Sequence, residues 1–435
     1  MKKLVTLLLA LALVLTAVSA VAEADKPLAG KTITFWMQAY GGDPATQSAM
    51  LDELTAAFYE ETGITVEYSL VDWGQAQTKW TLAMTGGECP DIADTFFAYS
   101  WVALGGEEYG PMNIDDLVAE MGVEGKFYDF ANPKCFIGGH WVGLPWRGDT
   151  RIGMYNAAMF EEAGIEEFPK TYDELIEVAK KLTTYDANGN VDRAGFLFRQ
   201  SEARFDQTFF AVLAGMGGHL MNEDYTEFTL DTPEVREALQ FMQDCLYVHK
   251  VMPDSILDPT HNSTQTYAAE KAAIVLGASP DDRLSIGANA PQLLDVSIGA
   301  TMPSKTGEGP SSIAFSAPIC IFNGTQEPEA AKEFMKFLMR TENLVALNQG
   351  TGTISVWEEV MKQPYFDSQW NQAILAQNER AVPGDMPLAL FSLVDAFPNG
   401  PLNTMCTAVM AGEDVETALA TCIAAVDEIV AENAE

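Results

Sequence analysis

The chain has 435 residues, 48% apolar and 20% charged, which are values of a folded globular protein and not of a disordered one. A formal net charge of -37 at pH 7 repels nucleic acid and anionic membranes, so a nucleic-acid partner is excluded. The length suits two lobes of ordinary domain size better than one core.

Lys2 and Lys3 precede an apolar run from Leu4 to Val18, then the small residues Ser19-Ala20-Val21-Ala22-Glu23-Ala24. This is the pattern of a secretory signal peptide, residues 1–24, cleaved after Ala24 or after Ala20. The run falls short of the ~20 apolar residues that span a bilayer, and no other stretch is long enough. An extracytoplasmic location is expected, in a periplasm or at the cell surface, with no cysteine placed to carry a lipid anchor. The six cysteines, Cys89, Cys135, Cys245, Cys320, Cys406 and Cys422, form no Cys-x-x-Cys motif. An exported protein permits disulfides, and Cys406 and Cys422 bracket two helical segments able to face each other.

Thr32 to Trp36 is a short strand pattern, followed by a helix from about Ala45 to Glu61 with Met50, Leu51, Leu54, Ala57 and Phe58 on one face. Ile64 to Leu70 is a second strand, Trp73 leads a helix through Met84, and Asp91-Ile92-Ala93-Asp94 begins a third strand. This rhythm predicts an α/β fold with a parallel sheet, in which ligands meet the carboxyl ends of the strands. Those ends carry Trp36 and Gln38, then Trp73, then Phe96, Phe97, Tyr99 and Trp101. One aromatic at a strand end is as often a core cap as a ligand contact. Three in succession favour stacking on sugar C–H faces.

Further on, Trp141 to Leu144 reads as a strand ending at Pro145, and Trp146, Arg147, Asp149, Thr150 and Arg151 stand before the strand pattern Ile152–Tyr155. That places a flat ring beside charges of both signs in a segment too short for its own core. Thr171 and Glu174 form a capping box at the start of a helix. The motifs ITFW, FYEETGITVEY, GGECPDIAD, YNAAMFEEAGI with FPKTYDELIEVAKKL, YAAEKAAIVLG, EPEAAKEFMKFLMRTENLVALNQGTGTISV and VETALATCIAAVDEIV follow in order. This set resembles the extracellular solute-binding proteins of family 1, the carbohydrate-binding subunits of ABC importers related to maltose-binding protein.

The resemblance implies a two-lobed periplasmic-binding-protein-like fold. Each lobe is then a mainly parallel sheet flanked by helices, and the chain crosses between lobes three times, near residues 146–150, 311–315 and 350–353. The expected N-terminal lobe is 25–147 with 313–350, and the C-terminal lobe 148–312 with 351–435. It implies a carbohydrate ligand held between lobes, membrane permease subunits as partners, a monomer, and no cofactor.

Asp149 matches the position where such proteins place an acidic ligand contact just after the first crossing; a salt bridge to Arg147 or Arg151 is the alternative. Trp146 is the expected stacking face. If Arg147 or Arg199 lines the cleft, an anionic ligand group becomes plausible, since a guanidinium grips it bidentately. The family's Trp after the EKAAIVL strand is missing here, and Ser279 and Asp281 offer hydrogen bonds instead. Thr353 follows small residues that let backbone approach a ligand, with no Gly-Lys-Ser/Thr for a nucleotide. Phe391 and Phe397 are candidate stacking or core rings. Asp186 to Asp192 spaces oxygens like a calcium loop, but its Asn-Gly pair reads better as a hairpin turn. No nucleophile elbow or histidine metal motif occurs, so a secreted carbohydrate-active enzyme ranks second and a cation-binding protein third.

Overall fold

Ile33, Phe35 and Met37 alternate inward along β1 (Thr32–Gln38), as period-2 patterning requires. They bury against the helix Pro44–Thr62, which presents Met50, Leu51, Leu54 and Phe58, and against Phe334 of the helix Pro328–Leu338. Ala57 lies on the exposed side of its helix. The structure, a computed structural model, describes residues 26–40, 44–96, 98–200, 204–223, 225–384, 390–395 and 399–433. The signal-peptide pattern, Phe97 and Phe397 lie outside these residues, as does the side chain of Tyr99.

β2 (Thr65–Val71) and β3 (Ile92–Asp94) flank β1 in parallel register, joined by helices as the sequence rhythm predicts. A small hairpin, β4 (Phe136–Ile137) with β5 (His140–Trp141), precedes β6 (Leu144–Thr150). β7 (Ile152–Asn156) follows at once. A second hairpin, β8 (Thr184–Tyr185) with β9 (Val191–Arg193), confirms the Asn-Gly turn. There the Asp186 carboxylate accepts the backbone amides of Asn188 and Asn190 at 2.8 and 2.9 Å. Then come β10 (Leu197–Phe198), β11 (Ile274–Ala278), β12 (Ser297–Ala300), β13 (Ser312–Ile321) and β14 (Ala381–Pro383).

The first sheet runs β14-β13-β3-β1-β2, with β6 also on β13; the second runs β10-β11-β7-β12. Parallel pairing describes β1, β2 and β3, but both sheets are mixed. In the second, β7 is antiparallel to both neighbours, because it continues straight from the crossing without a helix to reverse it.

The strand expected to stop at Pro145 instead begins at Leu144 and runs to Thr150. Pro145 is tolerated because it faces Pro318, where the register shifts and neither ring needs to donate. β13 is buried along its whole length. It pairs with β14 at Ser312–Ala314, with β6 from Ala314 to Ile319, and with β3 at Ile319–Ile321. The first two crossings are therefore one antiparallel ribbon. The third lies beside it, since Gly148 donates its amide to the Ile354 carbonyl at 2.8 Å.

The capping box forms as predicted: the Thr171 hydroxyl accepts the Glu174 amide, and Glu174 accepts the Thr171 amide. All six cysteines are free thiols, and Cys320 is a fully buried strand residue. Burial pushes the thiols up, Cys422 to about 12.

Candidate functional site

Along the crossing, Arg147, Asp149 and Arg151 occupy alternate positions and so share one side of the strand. Asp149 Oδ1 accepts from Arg151 Nη1 at 2.7 Å, and its Oδ2 lies 3.9 Å from Arg147 Nη2. Both arginines are buried, and burial alone lowers a guanidinium's pKa. At Arg147 the neighbouring Tyr40 and Asp149 outweigh burial, and the net direction is up. At Arg151 burial prevails.

The row connects the two lobes. Arg147 lies over the Tyr40 ring, 4.3 Å from its centroid. Tyr40 meets Trp73 edge-on at 5.8 Å, Trp73 meets Phe96 at 5.8 Å, and Phe96 meets Phe315 at 6.2 Å. Arg151 lies over Phe315 and donates through Nη2 to Gln207 Oε1 at 2.7 Å. Of these rings Trp73 is the open one, 42% exposed.

The second wall comes from the loops after β10 and β11. Arg199 Nε donates to Asp282 Oδ2 at 2.7 Å, and Arg204 grips both oxygens of Asp206. Burial would raise Asp282, but Arg199, Thr264 and Ser279 outweigh it and hold the carboxyl below its ordinary value. Asp281 is exposed to water yet enclosed by protein, and burial with the nearby Asp149 raises it.

Of the residues picked from sequence, Trp73, Arg147, Asp149, Arg151, Arg199 and Asp281 gather here. Others are used elsewhere. Trp101, 1% exposed, stacks on Trp80 inside the first lobe, and Trp36 packs edge-on to Trp80 under the Lys79 ammonium. Trp101 belongs to a secondary core with Trp80, and the half-buried Trp36 packs against it. Trp146 is not a stacking face: fully buried, it donates its Nε1 hydrogen to Asp94 Oδ1 at 2.9 Å.

The Ser279 hydroxyl is spent on Asp282 at 3.0 Å, where it caps the helix Pro280–Asn289. Thr353 is buried against Thr351 and Asn348 after the left-handed cap Gly352. Gln38 is buried too, and its Oε1 has no partner among the described residues, as Arg147 Nε has none. Phe391 is a core ring against Phe210. Sequence reasoning missed Tyr40, Asp94, Gln207 and Phe315. The adjacency of Tyr40 to the end of β1 was the one available signal for that ring. Among the described residues no group of three or more His, Cys, Asp or Glu could hold a metal ion.

The two-lobed α/β fold is matched by known proteins. The diacetylchitobiose binding protein DasA of Streptomyces coelicolor is 24% identical over 391 residues, 88% of this chain and 86% of that protein. The maltotriose-binding protein of Pyrococcus abyssi is 26% identical over 293 residues, 65% of this chain and 58% of that protein. The fold matches the sugar-binding protein MalE from Xanthomonas citri at a TM-score of 0.78 and 20% identity, over 92% of this chain and 98% of that one. A cyclo/maltodextrin-binding protein with maltotetraose gives 0.74 and 22%, over 92% and 98%. Residues 41–344 match the family model of the bacterial extracellular solute-binding proteins, and the chain belongs to that family.

Proposed function

We propose that the chain captures a sugar or oligosaccharide between its lobes and delivers it to the permease subunits of an ABC importer. The observation that carries the reading is the carboxylate of Asp149, held on the crossing between Arg147 and Arg151, with the open Trp73 ring joined to that row through Tyr40. A flat ring and an oriented hydroxyl acceptor are what a saccharide needs. A diacetylchitobiose binding protein and a maltotriose-binding protein among the relatives support it. Lobe closure would be favoured by ligand bonds to both walls, which also satisfy polar groups the cleft otherwise buries unpaired.

On this reading the protein binds as a monomer and catalyses nothing, with the Arg151, Arg199 and Asp281 wall in the C-terminal lobe. The lobes divide at 25–147 with 313–350 and 148–312 with 351–435, with one amendment. Val356 and Trp357 bond to Tyr128 and Pro145, so the chain follows the first lobe before its helix Gln369–Asn378 reaches β12. Tryptophan fluorescence titrated with a panel of neutral and acidic saccharides tests the proposal. Silence across the panel, with stoichiometric binding of some other solute, would remove the sugar.

A further inference from the structure

Beside the Asp149 row lies a recess lined by Arg151, Arg199, Arg204, Gln207, Thr208 and Gly277. Three of the chain's nine arginines meet there, and no described carboxylate lines it. The carboxylates stand behind the guanidiniums instead. Asp149 holds Nη1 of Arg151, Asp282 holds Nε of Arg199, and the fully buried Asp206 holds Arg204 through two nitrogens. Buried in this way, they fix the direction of the forks without filling the recess.

Arg199 decides what the recess can take. Its side chain keeps 24% of its surface, and among the described residues only Nε is engaged, leaving both Nη groups unbonded. A planar pair of N–H donors whose charge is already anchored from behind matches two oxygens of one anionic group. Five carboxylates, Asp149, Asp206, Asp281, Asp282 and Asp395, stand against the four guanidiniums of Arg147, Arg151, Arg199 and Arg204. The recess therefore offers directed donors more than a large positive excess, which suits a monoanion better than a phosphate dianion.

We propose that the ligand is an acidic saccharide of the uronate type, its carboxylate on the Arg199 fork with Arg151 and Gln207 alongside. This rests on the saccharide reading above.

Calorimetric titration of the full chain separates the two. The probes are a digalacturonate, its neutral digalactose counterpart and a hexose 6-phosphate, each against the native protein, Arg199→Gln and Arg199→Lys. Expected is a preference of about tenfold or more for the uronate over the neutral disaccharide. Arg199→Gln should abolish that preference, bringing the ratio of uronate to neutral affinity down to about one. Arg199→Lys, which keeps a charge opposite Asp282 and folds if Gln does not, should lose most of it, because a lysine has no fork. Neutral binding equal to or tighter than uronate binding would overturn the carboxylate and leave the saccharide reading standing, as would a preference for the phosphate. Full preference retained by Arg199→Lys would remove the fork from the argument. No binding of any of the three, with stoichiometric binding of a solute that is not a saccharide, would sink both readings.

Discussion

The indole N–H of Trp146 and the carboxylate of Asp94 form a 2.9 Å hydrogen bond with both side chains buried, which ties the end of β3 to the first crossing. Asp94 also accepts the Tyr40 hydroxyl and the Gln38 amide, so one carboxylate organises the floor beneath the site. Burial pushes it up and these donors pull it down, with burial prevailing. Asp94→Ala orphans three donors, each costing about 1–3 kcal/mol, and should lower the melting temperature by several degrees. It should also red-shift tryptophan emission as Trp146 meets water. An unchanged melt and spectrum would count against this role.

Trp73 and Trp101 were indistinguishable as strand-end aromatics, and their substitutions should separate cleanly. Trp73→Ala should weaken saccharide binding by about tenfold or more with little change in melting temperature, since the ring is open on one side. Trp101→Ala should cost about 3–5 kcal/mol of stability, read by denaturant titration, and leave affinity near native. The reverse pattern would mean that the assignment of ring to cleft and ring to core is wrong.

Gly148 has no room for a methyl group. A Cβ there would stand 2.8 Å from Val356 Cγ1, where the third crossing passes the ribbon. Gly148→Ala should destabilise by about 1–3 kcal/mol and shift the open–closed balance. Small-angle scattering with and without saturating ligand reads the second effect. Native compaction on ligand addition would show that the close approach does not govern hinge motion.

Acid should act through Asp282, whose folded pKa lies below its ordinary 3.8. The unfolded chain takes up a proton near 3.8 that the folded chain still refuses. Stability from this group is thus complete above 3.8 and drains as pH falls toward the lower folded value. Asp282→Asn should flatten the pH dependence of the melting temperature in that window. A slope identical to that of the native protein would show that the Arg199 pair is not what titrates.

Much of this was legible because it is local. Alternating Ile33, Phe35 and Met37, the Thr171 capping box and the Asn-Gly hairpin each follow from neighbours in sequence. The crossing residues also announced themselves by mixing charge and aromatic character in a short segment. What escaped was long-range partnership. Trp146 is claimed by Asp94, 52 positions earlier, and Asp282 is joined to Arg199, 83 positions away. Neither pairing leaves a mark on the spacing of its own stretch. Ser279 looked available for the same reason, although the helix start it belongs to already used its hydroxyl.

β13 gives its two faces of pairing to three different strands along ten residues, and between Ala314 and Ile319 it is laced to β6. Two connections fastened edge to edge behave as a strap, not as separate threads. A strap flexes about the axis lying across it and resists shear within its own plane. The lobes should therefore approach along one arc, bringing the same side chains face to face on every cycle. Selectivity is then carried by the join as well as by the groups that touch the solute.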